Sequence, residues 1–318
     1  MGERADPINL NALRLFRKVA ELGSVTRAAD ALFVTQPAVS KAIRLLERSV
    51  GLPLIGRTGR TVHLTEAGLI LAAHADRVFN AAADAREAMW AIAGLTQGRL
   101  VLGASTTIGN YLVPRLLGAF HKDYPAISLQ ARIGNTRAIL DDLNVLRVEL
   151  ALIEGPTNDP GLTTRALATD ELVLLLPPGH PWGERASIAL SELHGVPFLP
   201  REHGSGTRQV VDRVLAAHEV MPAIAMELGH SEAIKGAVAA GLGVSILSRW
   251  CVQAELDRAT LISRPFDGLR ITRELLMVRR ADDRPSPAVV RFIELLARET
   301  DAWTLDVIRS AHVSAPDA

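Results

Sequence analysis

The sequence predicts a multi-domain chain with a short helical head, one long helix and a larger α/β body. Helical periodicity with short loops extends to about residue 65, and an uninterrupted helical pattern follows over residues 66–94. From residue 95 to about residue 305, strand-like and helix-like segments alternate, which is typical of an α/β domain. Residues 306–318 are predicted to form a tail. A chain of 318 residues is long enough for two or three hydrophobic cores.

The charge of the chain is divided unevenly between head and body. The formal net charge is zero, yet residues 1–65 contain ten Lys and Arg side chains and only five Asp and Glu side chains. The rest of the chain therefore carries the compensating acidic excess. A basic head on an acidic body indicates that the head, and not the body, binds a polyanion.

Cysteine content and hydropathy predict a soluble, cytoplasmic protein without a membrane partner. Cys251 is the single cysteine, so an internal disulfide is excluded, which fits a reducing compartment. It follows Trp250 in an apolar stretch and is expected to be buried as a small hydrophobic residue. The amino terminus lacks the apolar run of a signal peptide, and no stretch reaches the roughly 18 apolar residues of a membrane span.

The head is predicted to contain three helices. The first, over residues 10–22, has one apolar face and ends at Gly23. A short Ala-rich helix follows over residues 26–32, and a third helix is expected over residues 36–50 after an N-cap at Thr35. On the third helix, apolar residues spaced 4, 3 and 4 apart form a stripe that should pack on the first two helices. The stripe consists of Val39, Ile43, Leu46 and Val50.

The third helix also carries a polar face opposite its apolar stripe. Two short helices joined by a tight turn, the second with exposed hydrogen-bonding groups, predict a helix-turn-helix whose second helix enters a major groove about 12 Å wide. Gln pairs with adenine and Arg with guanine, so two of these side chains are candidate base readers, and arginines at the tip of a following two-stranded wing would contact phosphates. The alternative is a face that is merely solvated. The predicted DNA-binding residues are Thr35, Gln36, Pro37, Ser40, Lys41, Arg44, Arg57 and Arg60.

The stretch "SVTRAADALFVTQPAVSKAIRLLERSVGLPLIGRTGRTVHLTEAG" resembles the signature of LysR-type transcriptional regulators over some 45 residues. The match includes the "TQPAVS" run and the "LTEAG" that opens the long helix, although Ile55 and Gly56 replace the Phe and acidic residue usual before the wing arginine. The resemblance implies a winged helix-turn-helix, binding to double-stranded promoter DNA as a homodimer or homotetramer, and RNA polymerase as a further partner. It also implies a periplasmic-binding-protein-like effector domain with two subdomains.

The helix over residues 66–94 shows a heptad seam, with apolar residues spaced alternately 4 and 3 apart. Thr65 is its expected N-cap. The regular seam favours a partner helix from a second chain, and the resemblance implies an antiparallel linker-helix pair. The alternative is that the seam packs against the chain's own body. The predicted dimerisation residues are Leu71, Ala75, Val78, Ala82, Ala85, Met89 and Ile92.

The body carries small polar residues where strands end and helices begin, which is where ligands bind in open α/β sheets. Several converging helix N-termini form an anion site, and Arg208 could add a formal positive charge, although each polar residue alone could be only an N-cap. The resemblance implies that the effector lies between subdomain 1 (about 99–169 and 273–300) and subdomain 2 (about 170–272). The "GSGTR" loop resembles the branch with regulators of sulfur assimilation and carbon fixation, which indicates a small anionic metabolite. The predicted effector-binding residues are Ser105, Thr106, Thr107, Asn135, Thr136, Ser205, Gly206, Thr207, Arg208 and Ser231.

Other function classes are disfavoured by the sequence. The histidines of the body lack metal-ligand spacing, and no nucleophile elbow, P-loop or complete dinucleotide fingerprint is present, so neither an enzyme nor a cofactor is predicted. Two alternatives remain open. The chain could be a solute-binding protein with an added helical head, or an architectural DNA-binding protein without a ligand.

Overall fold

The computed structural model describes residues 8–58, 61–92 and 98–312. The chain forms two compact units, one made mainly of residues up to Arg86 and the other of most of the remaining residues. Arg60 lies outside the described residues, and of Arg57 only the backbone is described. Both wing arginines therefore remain predictions.

The first unit contains three helices, a hairpin and the start of a long helix. Its elements are α1 (Leu10–Leu22), α2 (Val25–Ala31), α3 (Gln36–Val50), β1 (Ile55–Thr58), β2 (Thr61–Leu64) and α4 (Glu66–Ile92). Asn9 and Ser24 cap α1 and α2 through their side chains, and Gly23 ends α1 with φ +61°, as predicted. Phe16 and the apolar stripe of α3 form the core between the helices. The predicted helix-turn-helix and its two-stranded wing are thus present.

The long helix α4 differs from the prediction in how it uses its seam. Thr65 caps it as expected, because its Oγ1 accepts a hydrogen bond of 3.0 Å from the Gly68 amide. Ala75, however, is fully buried in the core of the head, and Leu71 packs against the same core. The head's own core therefore covers Ala75, whereas Leu71 is only half-buried there and its role in dimerisation remains a prediction.

The second unit is built on one mixed sheet. Its helices are α5 (Thr106–Tyr111), α6 (Val113–Asp123), α7 (Thr136–Asn144), α8 (Gly206–Ala217), α9 (Ser231–Ala239), α10 (Arg249–Asp257) and α11 (Pro287–His312). Its strands are β3 (Gly98–Ser105), β4 (Ile127–Gly134), β5 (Leu150–Glu154), β6 (Leu162–Leu176), β7 (Pro197–Phe198), β8 (Ala223–Ile224), β9 (Ser245–Ser248), β10 (Ile262–Arg264) and β11 (Ile271–Arg280). The main sheet has the order β10-β6-β11-β5-β3-β4, with β9 also paired to β6. The predicted α/β class is confirmed.

Two long antiparallel strands, β6 and β11, run through both halves of this unit. Ala168 and Leu275 pack in one hydrophobic core, whereas Leu172 and Ile271 pack in another. Between these positions Asp170 pairs with Arg273 in the strand register. We infer that the chain crosses from one subdomain to the other at Asp170 on β6 and returns at Arg273 on β11.

The carboxyl-terminal helix extends beyond its predicted end near residue 305. Residues 306–312, predicted as part of a tail, continue α11 to His312. No Gly or Pro interrupts the sequence after Pro287 until residue 316, so nothing in the residue types ends the helix earlier. Residues 313–318 lie outside the described residues.

Candidate functional site

The polar face of α3 is open to solvent, as the sequence predicts. Gln36, Pro37, Lys41 and Arg44 are exposed, and Ser40 is half-buried. The opposite stripe holds the helix in place, because Val39, Ile43 and Leu46 are all buried in the core of the head. One side of α3 is therefore fixed by packing while the other presents amide, hydroxyl and guanidinium groups.

Thr35 occupies the N-cap position of α3 but does not use its side chain there. Its backbone is extended, with φ −80° and ψ 147°, and its side chain makes no capping hydrogen bond. The Thr35 side chain is exposed. Its hydroxyl group is therefore available to an external partner, together with the amide groups of the first turn of α3.

The wing is joined to α3 by a carboxylate. Glu47 Oε1 accepts hydrogen bonds from the backbone amides of Leu54, at 2.9 Å, and of Ile55, at 3.4 Å. In the hairpin, β1 and β2 pair from Ile55 with Leu64 to Thr58 with Thr61. The position of the wing is thus coupled to that of α3.

In the second unit, the predicted effector residues of α7 and α8 contact each other directly. Thr136 Oγ1 accepts a hydrogen bond of 3.2 Å from the amide of Gly206 and donates one of 3.2 Å to the carbonyl oxygen of Glu154. The amide of Arg137 donates to the carbonyl oxygen of Gly204 at 3.1 Å. The loop before α8 therefore closes onto the carboxyl end of β5 and the start of α7.

This contact needs glycine at position 206. A Cβ atom built on Gly206 would lie 1.9 Å from the carbonyl oxygen of Glu154 and 2.8 Å from Thr136 Oγ1. Any side chain would push the loop away from β5. The glycine-rich sequence before α8 is thus explained by close backbone approach.

A buried arginine joins the hydroxyl groups of two helices. Arg273 Nη1 donates to Thr207 Oγ1 at 2.7 Å, and Nη2 donates to Thr107 Oγ1 at 3.3 Å. Its Nε donates to Asp170 Oδ2 at 2.7 Å, and Nη1 lies 3.6 Å from Glu154 Oε1. Burial opposes the charge of Arg273, but the two carboxylates outweigh it and hold the pKa of Arg273 above its ordinary value.

A second buried arginine orients Ser231 at the start of α9. Arg201 Nη1 donates to Ser231 Oγ at 3.3 Å, while Nε and Nη2 bind the two carboxylate oxygens of Glu202 at 2.8 and 3.0 Å. Arginine can only donate hydrogen bonds. The hydroxyl oxygens of Ser231, Thr107 and Thr207 therefore act as acceptors towards the two arginines, which leaves each hydroxyl proton free to be donated to a ligand.

Other predicted effector residues have structural roles. Asn135 Oδ1 accepts from the Ala138 amide at 3.0 Å, and Ser205 Oγ accepts from the Arg208 amide at 3.5 Å, so both act as N-caps. Ser105 Oγ donates to the carbonyl oxygen of Leu152, and Thr106 Oγ1 to that of Gly134. For these hydroxyl groups, backbone oxygens are the partners.

Arg208, predicted to add a formal positive charge to the site, pairs with two carboxylates. Its Nε lies 2.6 Å from Asp212 Oδ2, and its Nη1 lies 2.8 Å from the carbonyl oxygen of Arg201 and 3.4 Å from Glu227 Oε2. Two carboxylates therefore offset its charge. Arg201 and Arg273 are the arginines buried beside the candidate hydroxyl groups, and sequence reasoning missed both as site residues.

Cys251 is buried, as predicted, and lies beside this cluster. Its Sγ is 3.8 Å from Thr107 Oγ1. Burial raises the pKa of the Cys251 thiol to about 11, so the group is uncharged near pH 7. The reactive species of cysteine is the thiolate, so this side chain acts here as a small apolar group and a weak donor.

Tyr111 at the end of α5 forms a further link, to α9. Its hydroxyl group donates to Glu232 Oε1 at 2.6 Å, and Lys235 Nζ lies 2.7 Å from the same oxygen and 2.9 Å from Glu255 Oε1. Burial, followed by the hydrogen bond to Glu232, raises the pKa of Tyr111 above its ordinary value. The link ties the helix that carries Thr107 to the helix that carries Ser231.

Among residues 8–58, 61–92 and 98–312, which the structure describes, no helix is long and apolar enough to cross a membrane.

Comparison with known proteins identifies both units. Residues 10–69 match the family of bacterial regulatory helix-turn-helix proteins of the lysR type, and residues 93–301 match the LysR substrate binding domain. The probable RuBisCO transcriptional regulator of Nostoc sp. strain PCC 7120 is 35% identical over 315 residues, which cover 96% of this chain and 93% of the relative. The RuBisCO operon transcriptional regulator of Allochromatium vinosum is 32% identical over 292 residues, covering 92% of this chain and 96% of the relative.

Two solved structures have the same architecture. The regulatory domain of CcmR from Synechocystis PCC6803, in complex with 2-PG, has a TM-score of 0.61 and 31% identity, covering 64% of this chain and 98% of that chain. A full-length variant of OxyR from Pseudomonas aeruginosa has a TM-score of 0.69 and 28% identity, covering 92% of this chain and 95% of that chain. The chain therefore belongs to the LysR family of transcriptional regulators, with an amino-terminal helix-turn-helix that binds DNA and a carboxyl-terminal effector-binding domain, and its resemblance to the carbon-fixation branch of that family is confirmed.

Proposed function

We propose that this regulator reads promoter DNA with the exposed face of α3 and responds to a small anionic metabolite bound between the two subdomains of its second unit. The observation that carries the effector proposal is the pair of buried arginines whose donors bind the hydroxyl groups of Thr107, Thr207 and Ser231. Three hydroxyl protons directed by arginines suit the oxygens of a carboxylate or phosphate. Promoter DNA lies in the cytoplasm of bacteria, so the proposal includes a cytoplasmic location. It also includes contact with RNA polymerase, which binds at the promoter.

The DNA-binding part of the proposal rests on α3 and the wing. Gln36 and Arg44 are the proposed base readers, because amide and guanidinium groups form two-bond contacts with adenine and guanine. Thr35, Pro37, Ser40 and Lys41 complete the surface on α3, and Arg57 and Arg60 would contact phosphates from the wing. Similarity to CbnR in complex with its target DNA (TM-score 0.68, 22% identity) supports the fold of this surface.

The remaining seam of α4 is proposed to join two chains. Val78, Ala82, Ala85 and Met89 are exposed, although they follow the heptad spacing. The side chain of Ile92 lies outside the described residues. A homodimer, or a homotetramer built from two such dimers, would present two recognition helices to two half-sites, which multiplies specificity.

The metabolite proposed is small and anionic, as 2-PG is bound by the CcmR regulatory domain of Synechocystis. Relatives named as RuBisCO regulators support a role in the control of carbon fixation. Direct ligand contacts are proposed for Thr107, Thr207 and Ser231, oriented by Arg201 and Arg273. The other predicted residues would shape the cleft by holding its backbone, namely Ser105, Thr106, Asn135, Thr136, Ser205, Gly206 and Arg208.

Arg44→Ala is expected to weaken binding to the promoter more than binding to random DNA. If Arg44 reads a base, its loss should cost about 1–3 kcal/mol on the specific site, with little effect on the non-specific complex. Gel-shift titration of both DNAs at one fixed salt concentration measures the two affinities. Lys18→Ala, on α1 in an exposed pair with Glu21, is the control and should change neither affinity. Equal losses on both DNAs would show that Arg44 touches only phosphate.

Thr207→Val is expected to abolish the response to the effector and leave DNA affinity unchanged. Valine has the shape of threonine but cannot donate a hydrogen bond, so the anion loses one partner and the guanidinium of Arg273 is left with an unfilled donor. Thermal unfolding of the full chain with a panel of small carboxylates and phosphates, 2-PG included, measures the response.

Thr207→Ser provides the matched control, because it keeps the hydroxyl group and should retain most of the thermal shift. An unchanged shift in the valine variant would remove Thr207 from the ligand contacts. A panel in which no compound stabilises the wild-type chain would favour the alternative of a DNA-binding protein without a ligand.

A further inference from the structure

The turn between α2 and α3 contains a fully exposed aromatic side chain. Phe33 exposes 96% of its surface. Its backbone has φ +54°, in the left-handed region that favours glycine. The residue thus combines an unfavourable backbone conformation with an apolar ring in water, and neither is explained by packing within the head.

The local backbone explains the left-handed conformation but not the residue type. The amide of Phe33 donates to the carbonyl oxygen of Asp30 at 3.2 Å, and the amide of Val34 donates to that of Ala29 at 3.0 Å. These two bonds form a Schellman motif at the end of α2, in which Phe33 occupies the position where glycine is usual. Glycine or asparagine would form the same turn with less strain, so the phenyl ring must have a different role.

The neighbours of Phe33 indicate what that role is. All residues from Phe33 to Ala38 are exposed, and they lead without interruption into the first turn of α3. Gln36, a proposed base reader, follows three residues later. The start of a recognition helix is the part that enters the major groove, so the ring lies next to the proposed DNA surface.

We propose that Phe33 is a DNA-contacting residue whose ring packs against apolar atoms at the edge of the groove, either a thymine methyl group or a deoxyribose. This inference rests on the proposed role of α3. Aromatic and aliphatic side chains contact thymine methyl groups in many complexes, and such a contact would remove the exposed ring from water. The strained turn is then kept because it holds the ring in place before binding.

Phe33→Gly and Phe33→Asn in the full chain test the proposal. Both residues accept positive φ, so the thermal stability of the head should be unchanged or higher. The affinity for the promoter should fall about 3- to 10-fold, in line with the loss of one buried aromatic contact. Leu10→Ala, a matched loss of an exposed apolar side chain on α1, should leave affinity unchanged. Promoter affinity equal to wild type in both Phe33 variants would overturn the proposal, and lowered stability would contradict the turn conformation on which it stands.

Modified DNA distinguishes a contact of the Phe33 ring with a thymine methyl group from a contact with a deoxyribose. Replacing the thymines of the site by deoxyuridines removes the methyl groups but keeps the deoxyribose. If the ring touches a methyl group, wild-type affinity should fall while the Phe33→Gly variant loses nothing further, and if it touches a deoxyribose, both proteins should respond alike. Gln36→Ala distinguishes this inference from the proposed function. Loss of affinity in Gln36→Ala but not in Phe33→Gly would reject only the role of Phe33, whereas no loss in either would reject α3 as the reader.

Discussion

Arg273→Met is expected to lower the free energy of unfolding by about 3–5 kcal/mol. The guanidinium is fully buried and lies 2.7 Å from Asp170, which is fully buried as well. Without it, the carboxylates of Asp170 and Glu154 share an apolar environment with no cation, and Thr107 and Thr207 lose their donor. Methionine fills most of the volume of the arginine side chain. The lost unfolding free energy therefore reflects charge and hydrogen bonding, and not a cavity.

Urea unfolding of the full chain, followed by circular dichroism, measures this loss. Arg270→Met is the matched control, because Arg270 lies three residues away and its side chain, which pairs with Glu171, is 68% exposed. An exposed pair of this kind contributes at most about 1 kcal/mol. If the two variants lose similar amounts, the buried cluster does not stabilise the fold in the way we infer.

Gly206→Ala is expected to cost about 1–3 kcal/mol and to remove the effector response. The added methyl group would overlap the carbonyl oxygen of Glu154, 1.9 Å away, so the loop before α8 must withdraw from β5. Thr136 then loses its bond from the Gly206 amide, and Thr207 moves away from Arg273. Stability and ligand response should fall together because the same loop provides both.

The control for this variant is Gly236→Ala in α9. A Cβ at Gly236 meets nothing within 4 Å, and alanine is the better helix former, so stability should be unchanged or slightly higher. Thermal unfolding with and without a stabilising anion compares the two. If the Gly206→Ala variant keeps both its unfolding temperature and its ligand shift, the close approach of this loop to β5 is not needed for either property.

The head was predictable from sequence because its structure follows from short-range patterns. The apolar stripe of α3, the glycine that ends α1 and the spacing of Thr35 and Gln36 lie within a few residues of the features they determine. The polar face of α3 then follows by elimination, since it is the face that the core does not use. The seam of α4 misled the prediction at Ala75, because periodicity reveals an apolar face but not which surface covers it.

The second unit was predictable in class but only partly in its site. Hydroxyl and amide residues at helix starts are visible in the sequence, yet the sequence does not distinguish an N-cap such as Asn135 from a proposed ligand donor such as Thr207. The two buried arginines of the proposed site, Arg201 and Arg273, carry no local sequence signal. Arg273 lies on a strand, and its partners Thr107 and Thr207 are 166 and 66 residues away in sequence. Strand β11 also contains Glu274, Arg279 and Arg280, so a charge at position 273 did not mark Arg273 as a site residue.

The paired strands β6 and β11 place Arg273 and Asp170 at the level where the chain changes subdomain. If the two subdomains rotate apart about this crossing point, atoms near it move least and atoms farther from it move most. The ion pair would persist through such a motion, whereas the hydrogen bond between Tyr111 and Glu232, which joins α5 to α9, would break if those helices separate. A metabolite that binds both subdomains would then shift the balance between the open and closed forms by the difference in its affinity for them.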